Sequence, residues 1–413
     1  MVHVCARMSI FYEVSLLNVC FVGRDVHPPW ISGEPAITRG LINCLQGNQG
    51  KLRLSLITTI DATRCHDTKG LTDFIKRLDD YILMQSSRNY YSSSIVLWRG
   101  LAKLTERKNI DIIHMISVCP FIFAPLSRLI GGTHRPKFVR HILMPYFQSE
   151  GSLRYAINPI RRAFYSKFVD DIVVTSPLTK KWLIKLNILG KNKRIFVIPP
   201  PLDCEFFKPL THRQKTGLFP PDCDYRILYI GPMSPARFPV VNVLETVKIL
   251  KKNGLNVNLL VLARGTEFDY LWVNTINKRA TKMGLNKNVT ACVKTLSEEE
   301  KLDYYNSADS VIFPWTRSFV GAVEPPLTLL EAMSCGKIVV ASKVEGITQI
   351  VEHDTNGILV DIVSADKFAE GITHALTLKK TNRIQINARQ TIINRFSNYE
   401  IRKRLLCLYS DKN

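Results

Sequence analysis

The sequence predicts an α/β protein of two doubly wound domains, in which parallel sheets carry helices on both faces. Short apolar, β-branched runs alternate with longer amphipathic stretches along nearly the whole chain of 413 residues. This alternation is typical of parallel strands joined by crossover helices. It pauses once, over residues 209–224, a polar stretch with Gly217 and a Pro-Pro pair. We expect this stretch to link the two domains.

The predicted strands form two sets, one on each side of the linker. Each is a short apolar run bounded by Gly, Pro, Asn or Asp, as buried strands are. The first set is 17–23, 52–60, 111–118, 137–143, 171–176 and 194–199, and the second is 226–231, 257–263, 289–293, 310–315, 337–342 and 357–360. Helices are predicted between them, for example over 240–252 and 297–307.

Composition excludes several classes of protein. Apolar residues make up 46% and charged residues 22% of the chain, which is ordinary globular usage and not that of a disordered chain. The 56 basic residues exceed the 35 acidic ones, for a net charge of +21. This excess favours polyanionic partners such as nucleic acid, an anionic membrane or phosphate-bearing ligands. A charge that serves only solubility is the alternative.

The cysteines and the apolar segments predict a cytoplasmic protein. Ten cysteines are scattered without a CxxC pair or zinc spacing, so we expect reduced, mostly buried thiols, with one or two bridged pairs as the alternative. The N-terminus has no clean apolar core or cleavage site for a signal peptide. Residues 112–130 are apolar but include His114 and two prolines, which predicts a strand followed by a helix and not a membrane span.

The strongest local signal is the run over residues 323–336, V-E-P-P-L-T-L-L-E-A-M-S-C-G. Its Pro-Pro pair opens an apolar helix, since proline fits the first helical turn. The free amides of Leu327 and Thr328 and the helix dipole then form an anion site suited to a diphosphate. Glu331 lies one turn into the helix, where its carboxylate can accept hydrogen bonds from a ribose diol. An interaction with only its own helix dipole is an equal alternative.

This run resembles the donor-binding signature of retaining GT-B glycosyltransferases of the group 1 type, glycosyltransferase family 4. The resemblance covers about residues 17–411, and its motifs are weak singly but fairly specific in their order and spacing. They are H-P-P-W at 27–30 with Gly33, V-I-P-P-P-L-D at 197–203, R-I-L-Y-I-G at 226–231, K-I-V-V-A-S at 337–342, E-G-I-T-Q-I-V at 345–351, N-G-I-L-V at 356–360, and Phe396, Ser397, Tyr399 and Tyr409.

The resemblance implies the GT-B fold, with two Rossmann-like domains facing a cleft. We expect an N-terminal acceptor-binding domain over residues 1–208 and a C-terminal nucleotide-sugar-binding domain over 209–394. A terminal helix over 395–413 is expected to cross back to the first domain. The implied partners are a UDP- or GDP-sugar donor and a sugar or lipid-linked acceptor, with retention, no metal or other cofactor, and no nucleic acid.

The resemblance also assigns two acidic positions. In the family, two glutamates hold the donor, one on the sugar and one on the ribose. Glu331 matches the second, while Val323 stands at the first position. Glu324 is the expected substitute and a candidate catalytic residue.

Cations for the diphosphate are expected after the first strand of the second domain. The family usually has an arginine just after the glycine that corresponds to Gly231 and a lysine further on, and here these positions hold Pro232 and Arg237. A guanidinium is a competent phosphate ligand, so Arg237 is a candidate both for donor binding and for catalysis. Arg264 is a candidate for the lost cation, although an arginine on such a loop is more often a solvated surface charge.

Two further residues are expected to face the donor. Gly33 follows the first strand, where a residue without a side chain lets the backbone approach a phosphate; a plain turn glycine is the alternative. His141, placed just after the strand that begins at Lys137, resembles the family's histidine facing the sugar. His114, in the preceding strand, is expected to be a satisfied core histidine.

Three other functions remain open on the sequence alone. A nucleotide-sugar epimerase could use the same fold, and an inactive homologue could share the altered donor loops. A nucleic-acid-binding protein would need basic residues interleaved with aromatic ones on one face, but here the basic residues are spread out. Their densest patch lies over residues 154–194. It predicts loose attachment to an anionic membrane, although the apolar stripe within 152–168 more often packs on its own sheet.

Overall fold

Two parallel sheets, each covered by helices, make up the protein, and the predicted doubly wound architecture is confirmed. The computed structural model describes residues 16–411, apart from residues 29, 31–32, 47–50, 62, 64, 66, 88, 117, 130–134, 144–157, 188, 190–192, 212–216, 218, 221, 318–324 and 362–363. The fold is described below for these residues.

The first sheet has seven described strands and the second has six. The strands of the first are β1 (Leu17–Gly23), β2 (Leu52–Ile60), β3 (Asp80–Gln85), β4 (Ile112–Met115), β5 (Lys137–Ile142), β6 (Asp171–Val174) and β7 (Arg194–Val197). Those of the second are β8 (Tyr225–Ile230), β9 (Val257–Ala263), β10 (Val289–Val293), β11 (Ser310–Phe313), β12 (Ile338–Ser342) and β13 (Ile358–Val360).

Helices connect the strands and close the chain. Those of the first half are α1 (Gly33–Gln46), α2 (Thr68–Ile75), α3 (Tyr90–Thr105), α4 (Pro120–Ser127), α5 (Asn158–Phe168) and α6 (Pro177–Lys185). Those of the second half are α7 (Val240–Lys252), α8 (Glu267–Lys282), α9 (Glu298–Ser307), α10 (Leu327–Ser334), α11 (Glu345–Thr348), α12 (Ala365–Leu378), α13 (Arg383–Phe396) and α14 (Asn398–Ser410), with a 3-10 turn at Lys379–Thr381.

Strand order places the functional loops. The first sheet runs β3-β2-β1-β4-β5-β6-β7 and the second runs β10-β9-β8-β11-β12-β13, with parallel pairing throughout. The order reverses between β1 and β4 and again between β8 and β11. Ligands of such sheets bind outside the carboxyl ends of the strands at these reversals. The loops after β1, β8 and β11 are therefore the places to search for a site.

The strands form because their apolar runs are buried on both faces. All seven residues of β9 are buried, for example, as expected for a central parallel strand. Helix α7 covers this sheet with Val243, Leu244, Val247 and Leu250, which recur at helical spacing and are buried. The hydrophobic effect on such interdigitating layers holds each domain together.

The chain crosses between the domains twice at one place. The Leu202 amide donates to the carbonyl of Phe396 over 2.8 Å, and the Asn398 amide donates to the carbonyl of Leu202 over 3.2 Å. After this crossing, α14 buries Ile401, Leu405 and other apolar residues in the core of the first domain. The expected return of the terminal helix to the first domain is confirmed.

The structure differs from the predicted elements mainly at an edge. Strand β3 was not predicted, although residues 81–84 form a short apolar run; only Ile82 of its six residues is buried. Several other strands are shorter by one to four residues at their ends than predicted. The stretch 112–130 is β4 followed by α4, as expected. No helix among the described residues is long and apolar enough to cross a membrane.

The nine cysteines within the described part of the chain are all free thiols. Five of them are buried in the two cores, as expected, whereas Cys407 is exposed and Cys65, Cys223 and Cys292 are half-buried. Cys5 lies outside the described residues.

Candidate donor-binding site

A cavity of about 330 Å³ lies between the two domains at the carboxyl edges of their strands. This volume is in the range of small-molecule sites. The first domain contributes residues of α1, including Gly33 and Arg39. The second contributes the residues after β9 and β10 and the starts of α9 and α10, including Leu327 and Thr328.

Glu331 is the best-defined side chain of the cavity. It is 5% exposed and lies in the second turn of α10. One carboxylate oxygen accepts a hydrogen bond from the Lys301 ammonium over 2.8 Å, and the other accepts from the Tyr305 hydroxyl over 2.8 Å. These partners belong to α9, so the carboxylate is held from outside its own helix. Since each carboxylate oxygen can accept more than one hydrogen bond, both retain capacity for a ligand hydroxyl.

Burial and charge keep the partners of Glu331 in defined protonation states. Tyr305 is fully buried, and burial together with the neighbouring Glu331 charge raises its pKa well above the ordinary value. The phenol therefore stays protonated and donates its hydrogen bond. The Lys301 side chain is only 21% exposed, and its charge compensates that of Glu331. The result is a carboxylate oriented before any ligand arrives.

The start of α10 adds a second polar feature. Pro326 caps this helix without a side-chain hydrogen bond, and the first amides of a helix have no acceptor within it. Leu327 and Thr328 are the first two residues of the helix, and both line the cavity. The amide groups and the helix dipole favour an anion here. The helix ends as predicted at Gly336, whose φ of +64° suits glycine.

Arg264 belongs to the cavity, and its interpretation as a solvated surface charge is wrong. It follows β9, is partly buried and lines the cavity. Burial lowers its pKa, while Tyr229, Asp269, Glu331 and other groups nearby oppose that shift. A guanidinium loses its charge only far above neutral pH, so Arg264 brings a positive charge close to Glu331.

Positive charge predominates in the described lining of the cavity. It includes five cations and three carboxylates, namely Arg39, Arg77, Arg264, Lys294 and Lys301, and Asp203, Glu298 and Glu331. Arg39 also forms a salt bridge with Glu298 that joins α1 to the start of α9 across the two domains. Its guanidinium stacks over the Trp30 ring, 4.9 Å from the ring centroid. This surplus suits a ligand with several negative charges.

Arg237 and Gly231 lie after β8, at the strand reversal of the second sheet. The Arg237 side chain is buried, and its guanidinium lies 5.8 Å from the centroid of the Trp315 ring, just after β11. The Arg237 amide donates to Ser234 within the same loop. At Gly231, a Cβ atom would approach the Tyr229 hydroxyl to 3.1 Å, tighter than most such contacts. Neither Arg237 nor Gly231 belongs to the lining of the cavity described above.

Gly33 and His141 are placed differently from what the sequence predicted. Helix α1 begins at Gly33 itself, not near Pro35, and Gly33 lines the cavity. His141 lies within β5, one residue before its end, and is 1% exposed. Its Nδ1 is 3.1 Å from Nε2 of His114. His114 is a satisfied core histidine as expected, and its Nδ1 is 2.6 Å from the Tyr409 hydroxyl.

The geometry does not test two of the predictions, the role of Glu324 and the absence of a metal ion. Glu324 and the neighbouring Val323 lie outside the described residues. Within the ranges that the structure describes, no group of three or more His, Cys, Asp or Glu side chains could hold a metal ion.

Two family models match successive parts of the chain. Glycosyltransferase Family 4 matches residues 70–206, and Glycosyl transferases group 1 matches residues 213–391. Both models describe glycosyltransferases, and together they match residues 70–391 apart from 207–212. The second match contains β8, β11, α10 and therefore Arg237, Arg264 and Glu331.

The sequence relatives of the chain are distant. A D-inositol 3-phosphate glycosyltransferase of Mycolicibacterium smegmatis is 25% identical over 223 residues, which are 53% of this chain and 48% of the relative. The chain thus spans about half the length of the curated relatives it matches.

Solved structures establish the fold over nearly the whole chain. A glycosyltransferase from Rickettsia africae aligns with a TM-score of 0.73 at 18% identity and covers 96% of this chain and 98% of its own. Anabaena HepE, in complex with UDP and glucose, aligns with a TM-score of 0.70 at 17% identity and covers 95% and 99%. The chain therefore has the GT-B fold that the resemblance implied.

Some residues of the site had no sequence signal. Lys301 and Tyr305 occupy positions four apart on one face of α9, but nothing in the sequence pairs them with Glu331. Arg39 lies in α1 with no motif around it. The capping box of α9, in which Ser297 and Glu300 bond reciprocally, predicts the helix and not the partners of its side chains.

Proposed function

We propose that the chain is a group 1 glycosyltransferase that moves a sugar from a UDP- or GDP-sugar to an acceptor bound by the first domain, with retention at the anomeric carbon. One observation carries the proposal: a single interdomain cavity joins the oriented carboxylate of Glu331, the start of α10, Arg264 and Gly33. The UDP bound to the similarly folded HepE supports a uridine nucleotide as the first candidate.

The donor is assigned to these residues by their chemistry. The ribose hydroxyls donate to Glu331, and the diphosphate accepts from the amides of Leu327 and Thr328. Arg237 neutralises the diphosphate from the loop after β8, and Gly33 allows the backbone of α1 to approach it. Glu324 is proposed to contact the sugar, and so is His141.

The proposed reaction needs no covalent intermediate with the protein. The acceptor oxygen forms its bond to the anomeric carbon on the face from which the diphosphate leaves. The bond between that carbon and the diphosphate oxygen breaks, and its electron pair stays with the diphosphate, one of whose oxygens takes the acceptor proton. The protein orients both substrates and stabilises the charge that develops on the diphosphate.

The first domain favours an acceptor with an anionic group. Arg140 of β5 and Arg161 of α5 are buried, and the Arg140 guanidinium donates hydrogen bonds to the hydroxyl oxygens of Tyr90 and Tyr165. Buried cations of this kind suit a phosphate on the acceptor. A sugar phosphate and a lipid-linked sugar phosphate both have this chemistry.

Nucleotide-sugar binding is expected to raise the melting temperature of the protein. A ligand that binds only the native state stabilises it by about 2.7 kcal/mol at a hundredfold excess over its Kd. We expect UDP- or GDP-sugars to raise the melting temperature and inorganic phosphate at equal concentration to leave it nearly unchanged. A panel of UDP-, GDP- and ADP-sugars in a thermal-shift assay makes the measurement. If none of them shifts the transition, the proposed function is wrong.

Transfer is expected to proceed without a metal ion. The groups proposed to stabilise the diphosphate charge are the Arg237 guanidinium and the backbone amides at the start of α10. Together they take the role that a divalent ion has elsewhere. Sugar transfer should therefore keep its rate in excess EDTA. Loss of activity in EDTA that manganese or magnesium restores would contradict this prediction.

We also propose that the basic first domain holds the enzyme loosely at an anionic membrane. Phe164 and Phe168 of α5 pack against the core of the first domain, whereas Ile160 of α5 and Ile184 of α6 are 68% and 59% exposed. Near an anionic leaflet each Lys or Arg contributes about 1 kcal/mol, which salt screens. We expect sedimentation with anionic liposomes at low salt, release at high salt and no binding to neutral liposomes. Protein that stays in the supernatant with anionic vesicles would favour a water-soluble acceptor.

A further inference from the structure

Three polar side chains form a line through the interior of the first domain. The Tyr409 hydroxyl of α14 lies 2.6 Å from Nδ1 of His114 in β4. Nε2 of His114 lies 3.1 Å from Nδ1 of His141 in the adjacent β5. The three residues are 4%, 0% and 1% exposed. Polar groups are buried at a cost unless they are hydrogen-bonded, so a chain of three is a built feature.

Both imidazoles in this line are neutral. Burial lowers the pKa of His114 to about 3. Burial also lowers the pKa of His141 well below its ordinary value, and repulsion between the two imidazoles when both are protonated, together with the Arg140 charge, acts in the same direction. Burial raises the pKa of Tyr409, which keeps its proton. Each neutral imidazole carries one N–H, so one ring nitrogen donates and the other accepts.

The tyrosine fixes the direction of the hydrogen bonds. The only hydrogen-bond partner of its hydroxyl among the described residues is Nδ1 of His114, so a proton donated there makes that nitrogen the acceptor. His114 then carries its proton on Nε2 and donates to Nδ1 of His141. His141 in turn must carry its proton on Nε2. The tautomers of both histidines thus follow from one phenol on the terminal helix.

Nε2 of His141 is buried and has no hydrogen-bond partner in the described part of the chain. His114 pairs in register with Val139, two residues before His141, so Nδ1 of His141 points back along the strand. The two ring nitrogens of an imidazole point in widely different directions, so Nε2 points toward the carboxyl end of β5, where only Ile142 follows His141. Ligands of such sheets bind outside this edge, although His141 is not among the described residues that line the cavity.

We propose that Tyr409 acts through His114 to hold His141 as a neutral Nε2–H donor toward an oxygen atom of the bound donor sugar. Tyr409 and His114 are positioning residues, and His141 alone would touch the substrate. The identity of the oxygen rests on the proposed function, whereas the tautomers do not. The arrangement also gives the returning terminal helix a role in the site beyond packing.

Histidine-selective 15N NMR of full-length Tyr409→Phe tests the direction of these hydrogen bonds. The wild type should show His114 and His141 each protonated on Nε2 alone, with signals assigned through His114→Gln and His141→Gln. In Tyr409→Phe the preference for protonation on Nε2 is lost, and signals of the Nδ1-protonated forms should appear. Tyr399→Phe is the matched control, since Tyr399 lies on the same helix and is 63% exposed; it should leave the spectrum unchanged. A single unchanged tautomer in Tyr409→Phe, or Nδ1 protonation in the wild type, would overturn the proposal.

Kinetic measurements separate the role of these three hydrogen-bonded residues from simple loss of packing. Tyr409→Phe should bind UDP as the wild type does, because UDP has no sugar, but should turn over a UDP-sugar about tenfold more slowly, the effect of one lost hydrogen bond. An unchanged turnover overturns the role assigned to Tyr409 even where the enzyme is active. If the wild type binds no nucleotide sugar, the proposed function is wrong. The NMR measurement alone then decides whether Tyr409 sets the tautomers of His114 and His141.

Discussion

Replacing Glu331 with glutamine is expected to weaken donor binding by about tenfold to one-hundredfold while the protein stays folded. A hydrogen bond to a charged group contributes about 1.5–3 kcal/mol, and every 1.4 kcal/mol is about a factor of ten in affinity. Glutamine has the same shape but presents one acceptor oxygen in place of two. It also leaves the partly buried ammonium of Lys301 without its counter-charge. Isothermal titration calorimetry with the donor nucleotide measures the effect.

A second ligand distinguishes a contact with the ribose from a structural role of Glu331. We expect 2′,3′-dideoxy-UDP to bind the wild type weakly and Glu331→Gln about as weakly, because the missing hydroxyls are those that the carboxylate holds. Glu370→Gln is the matched control, since the Glu370 side chain is 64% exposed and pairs only with Lys367 on a distant surface. Equal affinity of the wild type and Glu331→Gln for UDP would refute the assignment.

Much of the fold could be predicted because burial leaves a pattern in the sequence. Strands β1, β2, β9 and β10 begin and end where their apolar runs do. Edge strand β3 was missed although residues 81–84 are apolar, because so short an apolar run cannot be told from part of a helix by its periodicity. Helix starts with a capping box, such as that of α9, were equally easy to place.

The site could be predicted only where one short segment contains both the backbone geometry and the functional side chain. Glu331 and the start of α10 meet that condition. The Pro-Pro pair indicates where the helix begins, and the spacing places the carboxylate one turn further on. The partner Lys301 comes from another helix, thirty residues earlier. Tertiary packing brings such groups together, and no local pattern records it. The same holds for Tyr409 and His114, which are separated by 295 residues.

Removing the charge of Arg237 is expected to lower turnover more than removing that of Arg264. Arg237 is buried at the strand reversal beside Trp315, where we propose that it stabilises the charge growing on the leaving diphosphate. Loss of one preorganised group of this kind typically lowers kcat by about a hundredfold to a thousandfold. Arg264 lies near Tyr229, Asp269 and Glu331, and we expect it to contribute mainly to binding. We therefore expect Arg237→Ala to lower kcat by about a hundredfold and Arg264→Ala mainly to raise KM.

Arg237→Lys provides the control for loss of charge against loss of shape. A lysine retains the charge without the planar, bidentate guanidinium, so turnover should recover in part. The melting temperature of each variant shows whether the loop after β8 is still folded, since Arg237 also packs on Trp315. Steady-state rates at saturating donor and acceptor give kcat directly. Equal, small effects of Arg237→Ala and Arg264→Ala on kcat in folded protein would mean that other groups hold the diphosphate, and the position after β8 would then have only a structural role.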